Sequence, residues 1–166
     1  LGWAAARPGE SHPYLTAKGM RAHALRADGA WLLVPVRDCR AHLMSLQAIA
    51  ADGTKRFTPG GRTKGGYFGI GKAADRVVIC VGYATGATFH EASGHAVAVA
   101  FNAGNLLPVA KALRAKYSDL TLVVAAHDDW QTPGNPGLTA ATEAARAVGG
   151  LLAVPNFAGL PRGPSD

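Results

Sequence analysis

The sequence predicts an α/β protein: a small antiparallel β-rich segment leading into a four-stranded, mainly parallel sheet flanked by helices. Three observations carry this expectation. From Val77 onward, short apolar runs alternate with helical stretches. The runs are near-continuously hydrophobic, as strands covered on both faces are. Glycines at 94 and 149–150 stand where helices should stop.

The elements follow in order. Trp31-Leu32-Leu33-Val34-Pro35-Val36 and Leu43-Met44-Ser45-Leu46-Gln47-Ala48-Ile49 are strand-like, and Asp52-Gly53 is a turn signal ahead of Lys55-Arg56-Phe57. Gly60-Gly61 and Gly65-Gly66 punctuate a loop that carries Arg62 and Lys64. The runs Val77–Val81, Ala96–Phe101, Leu122–Ala126 and Leu151–Val154 predict the four strands of the second segment. Helices are predicted over 84–93, 106–117 and 137–148. The run from Val77 ends at Gly82 and passes into a small-residue helix start; the run from Leu122 ends in His127-Asp128-Asp129. In a parallel sheet the carboxyl ends of neighbouring strands converge on one crevice, which makes these two tips the candidate site.

Composition narrows the class. The chain has 166 residues, 48% hydrophobic and 17% charged, which is globular and sufficient for one core. Its apolar runs fall short of the roughly 20 residues of a membrane span, and no signal peptide is visible. Cys39 and Cys80 form no CxxC, and Cys80 sits inside an apolar strand as a buried reduced thiol, so a cytoplasmic location is expected. The chain starts at Leu1 and ends at Gly163-Pro164-Ser165-Asp166, and is read as a piece of a longer protein. Its net charge of +6 is uneven: residues 1–76 hold 12 Lys/Arg and 5 Asp/Glu (+7), residues 77–166 hold 5 and 6 (−1). Such a basic half suits a polyanion-binding face, or an ordinary solvated basic surface.

Three motifs bear on chemistry. Gly66-Tyr67-Phe68-Gly69-Ile70-Gly71-Lys72-Ala73 nearly spells a P-loop, but it lacks the Ser/Thr for Mg²⁺ and precedes a strand instead of a helix. His90-Glu91-Ala92-Ser93-Gly94-His95 resembles a zincin motif with one residue too many. At about 100° per residue the two histidines would stand about 140° apart, so surface histidines are expected. Asp128-Asp129 suits a divalent cation, because adjacent carboxylates repel unless solvated or neutralised; solvated loop acids are the alternative. In extended backbone the two point to opposite sides, and two acids on one side would need positions 127 and 129. Position 127 is histidine.

With these residues in place, Val77–Thr88 and Val123–Asp129 resemble a Toprim domain, the catalytic fold of bacterial-type primases, type IA and II topoisomerases and some nucleases. The preceding stretch is similar to primase-type proteins of plasmids, phages and integrative elements. It carries His12-Pro13-Tyr14-Leu15, Leu33-Val34-Pro35-Val36-Arg37-Asp38, Leu46-Gln47, Lys55-Arg56-Phe57-Thr58-Pro59-Gly60-Gly61 and Lys64-Gly65. Phe101-Asn102-Ala103-Gly104-Asn105-Leu106 and Asn135-Pro136-Gly137 extend the likeness, which covers about residues 12–158.

The resemblance implies a first strand ending in Glu-Gly, the glutamate acting as general acid/base, and a third ending in Asp-x-Asp that binds Mg²⁺ or Mn²⁺. Here Val81 stands before Gly82, and His127 stands for the first aspartate; Asp129 matches, with Asp128 between. The implied reaction joins a nucleotide 3′-hydroxyl to a nucleoside triphosphate. Lys55, Arg56, Arg62 and Lys64 would track the backbone of a single-stranded DNA template. A helicase domain of the parent protein is the expected partner, and no membrane is. The expected organisation is a basic segment 1–76, a Toprim segment 77–158 and a tail 159–166. The expected function is a primase or primase-helicase core with a depleted metal and acid-base site. A non-catalytic nucleic-acid-binding Toprim module, or part of a nuclease or topoisomerase, are the alternatives.

Overall fold

The computed structural model describes residues 2–155; the expected tail 159–166 and the end of the Toprim segment lie outside the described residues. Five strands come first: β1 (Arg7–Pro8), β2 (Arg26–Asp28), β3 (Trp31–Arg37), β4 (Leu43–Ile49) and β5 (Lys55–Phe57), with helix α1 (Pro13–Lys18) after β1. They form one antiparallel sheet in sequence order. Pro35 sits in β3 beyond Leu33, the last residue that β2 pairs with, where a missing N–H costs no ladder bond to β2. Asp52-Gly53 makes the predicted turn: Gly53 has φ 91°, and the Asp52 carboxylate accepts from Thr54 N at 2.8 Å.

The second half contains β6 (Phe68–Ile70), β7 (Arg76–Cys80), α2 (Tyr83–Ser93), β8 (Ala96–Val99), α3 (Leu106–Lys116), β9 (Thr121–Ala125), α4 (Pro136–Ala147) and β10 (Leu151–Ala153). The sheet order is β10-β9-β7-β8-β6. β10, β9, β7 and β8 are parallel, as expected, and β6 is antiparallel to β8. The expected count of four strands is therefore corrected to five. β6 has three residues around Gly69, too short for the two-residue period to register, and it arises from the segment before Val77. The same strand accounts for the P-loop look-alike, whose central residues are extended in a sheet.

Alternation along the strands divides the core. Val77 and Ile79, Ala96 and Ala98, and Leu122 and Val124 face one side, under α3 and α4. Val78 and Cys80, Val97 and Val99, and Ala125 face the other, where they meet Tyr83 and Ala87 of α2 together with Leu32, Val34, Val36 and Ile49 of the first sheet. The antiparallel sheet thus takes part of the place that a second layer of helices would occupy. Cys80 lies in this layer, and burial pushes its thiol up to about 12, which keeps it protonated.

Two polar clasps join the halves. The buried Tyr83 hydroxyl reaches the carbonyls of Arg21 and Ala22 at 2.8 and 2.9 Å, and burial raises its pKa. Glu91 accepts from Arg21 N (3.0 Å) and pairs with the His23 ring (2.6 Å), and these bonds lower its pKa. The histidines at 90 and 95 are partly exposed, and His90 Nδ1 lies 2.8 Å from the carbonyl of His95, beyond the stop at Gly94 (φ 73°). Tyr83→Phe removes one donor from two carbonyls and is expected to lower unfolding free energy by about 1–2 kcal/mol, read as a shifted urea midpoint with unchanged slope. An unchanged midpoint would remove the phenol from the interface that joins the halves.

Candidate functional site: a cleft at the strand ends

β8 lies on one side of β7 and β9 on the other, so the chain diverges at the carboxyl ends of these strands. A crevice opens where such connections part. Here it is a cleft of about 390 Å³. Val81, Gly82 and Thr85 line it beyond β7, Phe101 and Asn102 beyond β8, and Ala126, His127 and Asp129 beyond β9. The opposite wall comes from the first half: Tyr14 and Lys18 of α1, and Lys55 of β5.

The turn from β7 into α2 is set by strand pairing that runs on past the named strands: Phe101 N donates to Val81 O at 2.8 Å. Gly82 is the N-cap of α2 at φ −100°, and a Cβ there would approach nothing closer than Thr85 Oγ1 at 4.0 Å. Neither backbone nor crowding demands glycine at this position.

Beyond β9 the side chains separate by parity. His127 and Asp129 share the cleft side, with His127 Nε2 3.3 Å from Asp129 Oδ1. Asp128 lines a neighbouring pocket and accepts from Asn135 Nδ2 at 2.7 Å. Asn135 holds the corner in a left-handed conformation (φ 42°) that asparagine tolerates. Its Oδ1 accepts from Asp129 N (3.0 Å) and Leu138 N (3.4 Å), which caps α4. Gly137 N then donates to Asp129 Oδ2 at 3.0 Å, so this carboxylate rests on the positive end of α4. Asn135-Pro136-Gly137 thus builds a seat for Asp129.

The four basic residues do not form one stripe. Lys55 pairs in register with Ile49 of the inner face and lines the cleft. Arg56 pairs with Ala48 and points to the opposite face, its guanidinium 3.9 Å from the ring centroid of Trp31. Phe57 returns inward and meets Phe101 edge to face at 5.9 Å. Arg62 and Lys64 ride an exposed loop pinned by Asn105, a buried residue that sequence reasoning gave no role. Asn105 Oδ1 accepts from Gly65 N (2.7 Å), and Nδ2 reaches the carbonyls of Thr63 (3.1 Å), Gly66 (2.9 Å) and Ala100 (2.8 Å). Lys18 was also missed; its only signal is its place in the last turn of α1.

No protein-family model matches the chain. Two proteins from Escherichia coli named DNA primase TraC are similar to it. One is 44% identical over 161 residues, 90% of this chain and 15% of the relative; the other is 42% identical over 158 residues, 88% and 11%. The chain therefore spans less than a sixth of these relatives. Among solved structures, the primase fragment of the bacteriophage T7 primase-helicase protein superposes with TM-score 0.62 at 18% identity, covering 92% of this chain and 71% of that one. The chain carries a primase-type Toprim domain. A second structure shares the fold at TM-score 0.51 and 16% identity, covering 90% of this chain and 78% of that one. It is a complex of bacteriophage T7 lagging-strand DNA polymerase with primase domains of two gp4 subunits bound to an RNA/DNA hybrid and dTTP.

The Toprim resemblance implies a divalent cation, and the donors present do not fit Mg²⁺. Val81 offers none. Asp129 has one oxygen beside the His127 ring and the other on Gly137 N. Asp128 is turned to Asn135. A small hard cation needs several oxygen ligands in near-octahedral array. Among the described residues no group of three His, Cys, Asp or Glu side chains could hold a metal.

A Cβ at Gly137 would press on the His127 carbonyl and stand 2.7 Å from Asp129 Oδ2. Gly137→Ala is therefore expected to cost about 1–3 kcal/mol, because backbone cannot step aside as a side-chain tip can. Thermal melting reads it, and an unchanged melting temperature would show that Asp129 is not seated as described.

Proposed function

We propose that this chain is the Toprim core of a DNA primase of a mobile genetic element, with a depleted metal and acid-base site. The observation that carries the reading is the 44% identity to a DNA primase across nine-tenths of the chain, with the cleft at the expected strand ends. A template strand and nucleotides would enter between Lys18 and Lys55 on one wall and the β7 and β9 tips on the other. A helicase elsewhere in the parent protein is the expected partner. Among the described residues no helix is long and apolar enough to cross a membrane.

In primer synthesis the 3′-hydroxyl oxygen attacks the α-phosphorus, pyrophosphate leaves, and the hydroxyl proton passes to a base. Val81 stands where the resemblance expects that base, and it accepts no proton. His127 suits Mn²⁺ or Zn²⁺ better than Mg²⁺. This favours, as a second reading, a Toprim module that binds nucleic acid without synthesising it.

The chain is expected to form little or no dinucleotide in Mg²⁺ alone. Robust Mg²⁺-dependent synthesis would show that Val81 and His127 are mapped to the wrong positions.

The scaffold around these positions is complete, so the site is expected to be restorable. Val81→Glu with His127→Asp adds two carboxylates beside Asp129, and like charges raise one another's pKa unless a cation intervenes. Mg²⁺ at a hundredfold excess over its Kd would stabilise the double variant by about 2.7 kcal/mol, roughly 5–10 °C in melting temperature. The unaltered chain should not respond. Equal shifts in both proteins, or in neither, would break the assignment of the site.

A further inference from the structure

The solvent face of the first sheet has a composition that the cleft does not explain. Arg26 of β2, Leu33 of β3, Ala48 of β4 and Arg56 of β5 are register partners in one row across four strands. Three strand spacings put the two arginines about 14 Å apart. Leu33, Leu46 and Ala48 are buried beneath Trp3, Ala6 and Trp31, and do not reach the main core. On these tryptophans lie three guanidinium groups. Arg56 stands 3.9 Å from the Trp31 centroid; Arg26 and Arg37 stand 4.5 and 5.7 Å from that of Trp3.

Two of these cations are fixed further. Arg26 Nη1 donates to Trp3 O at 2.8 Å and Arg37 Nη1 to Ala41 O at 2.9 Å. Arg56 is exposed, with no carboxylate partner among the described residues. Asp28 is the one carboxylate among the described strand residues of this face, and it accepts from Gly2 N at 3.0 Å. A guanidinium resting on an indole keeps its other planar face and its edge donors available. It also loses less freedom on binding than an extended arginine or lysine would.

We infer that the outer face of β2–β5 is a second binding surface for single-stranded nucleic acid, separate from the cleft. Bases stack on the outer faces of the indole-backed guanidiniums, and phosphates meet the guanidinium edges. Charge complementarity selects a polyanion, and the planar groups select one with unpaired, stackable bases. A duplex keeps its base faces hidden and would gain only the phosphate contacts. The inference rests on reading the chain as a primase-type protein and adds a template path that bypasses the reaction crevice. β5 joins the two surfaces, with Lys55 turned into the cleft and Arg56 onto the platform.

The test uses intrinsic fluorescence. The chain has three tryptophans, Trp3, Trp31 and Trp130, and Trp130→Phe leaves only the two on the platform. In that background, single-stranded oligothymidylate is expected to quench the emission, and salt to reverse the quenching. Arg26→Gln with Arg56→Gln should weaken binding roughly tenfold at low salt and flatten the salt slope by about 1.4 units. Arg56→Lys should return the slope but only part of the affinity, because charge survives while the plane is lost. Lys18→Gln with Lys55→Gln provides the comparison in the cleft. Binding without quenching, or binding weakened by the lysine pair and not by the arginine pair, would overturn the platform while leaving the cleft reading in place. Arg56→Lys matching Arg56 in full would overturn stacking, and the absence of any binding would overturn both.

Discussion

The structure depends on one burial event: the antiparallel sheet packs its inner face on the same side of the parallel sheet that α2 covers. Leu32, Val34, Val36 and Ile49 share one apolar cluster with Val78, Val97, Val99 and Tyr83. Without that contact each sheet would expose a row of branched side chains, at roughly 1.5–3 kcal/mol for each large one. The cleft is a consequence. Its floor comes from strand ends of the second sheet and its cationic wall from α1 and β5, so neither half alone contains it. The polar clasps at Tyr83 and Glu91 fix alignment across the contact more than they add to its strength, because neutral hydrogen bonds and exposed ion pairs exchange against water.

Within that frame Asp129 has a built seat, while the side chains beside it at 81 and 127 offer no carboxylate. Asp129 retains a capped helix amino terminus, a tailored glycine and an asparagine corner, all of which serve an anion at this position. Its neighbours in the cleft lining include Val81 and His127. The His127 ring then takes the partner role toward Asp129 at 3.3 Å. Both oxygens of this carboxylate already have a neighbour, Oδ1 the imidazole and Oδ2 the amide of Gly137. A cation arriving there gains less than it would among uncompensated acids.

Much of this was legible in the sequence, for reasons particular to each element. The parallel strands could be read because each is apolar on both faces and ends at a turn-forming residue, and the parity of 127 and 129 follows from extended backbone. β6 was hidden because Phe68-Gly69-Ile70 offers too few residues to show a period. The role of Asn105 was hidden, since its four partners lie at 63, 65, 66 and 100 and sequence spacing says nothing about them. The arginine–tryptophan contacts were hidden for the same reason: Trp3 is 23 residues from Arg26 in the chain.

The basic segment shows how far spacing misleads where a short edge strand is involved. Lys55, Arg56, Arg62 and Lys64 cluster in sequence, and charge alone would make them one patch. Once residues 55–57 join β4, the strand's two-residue period forces Lys55 and Arg56 onto opposite faces of the sheet, whatever their shared charge. The glycine-punctuated loop then carries Arg62 and Lys64 elsewhere, held by the Asn105 amide, which binds one backbone N–H and three carbonyls and no charge. A nucleic acid following this segment would have to pass over the edge of the sheet at β5. That edge strand is therefore the element on which cleft and outer face would compete for, or share, a single strand.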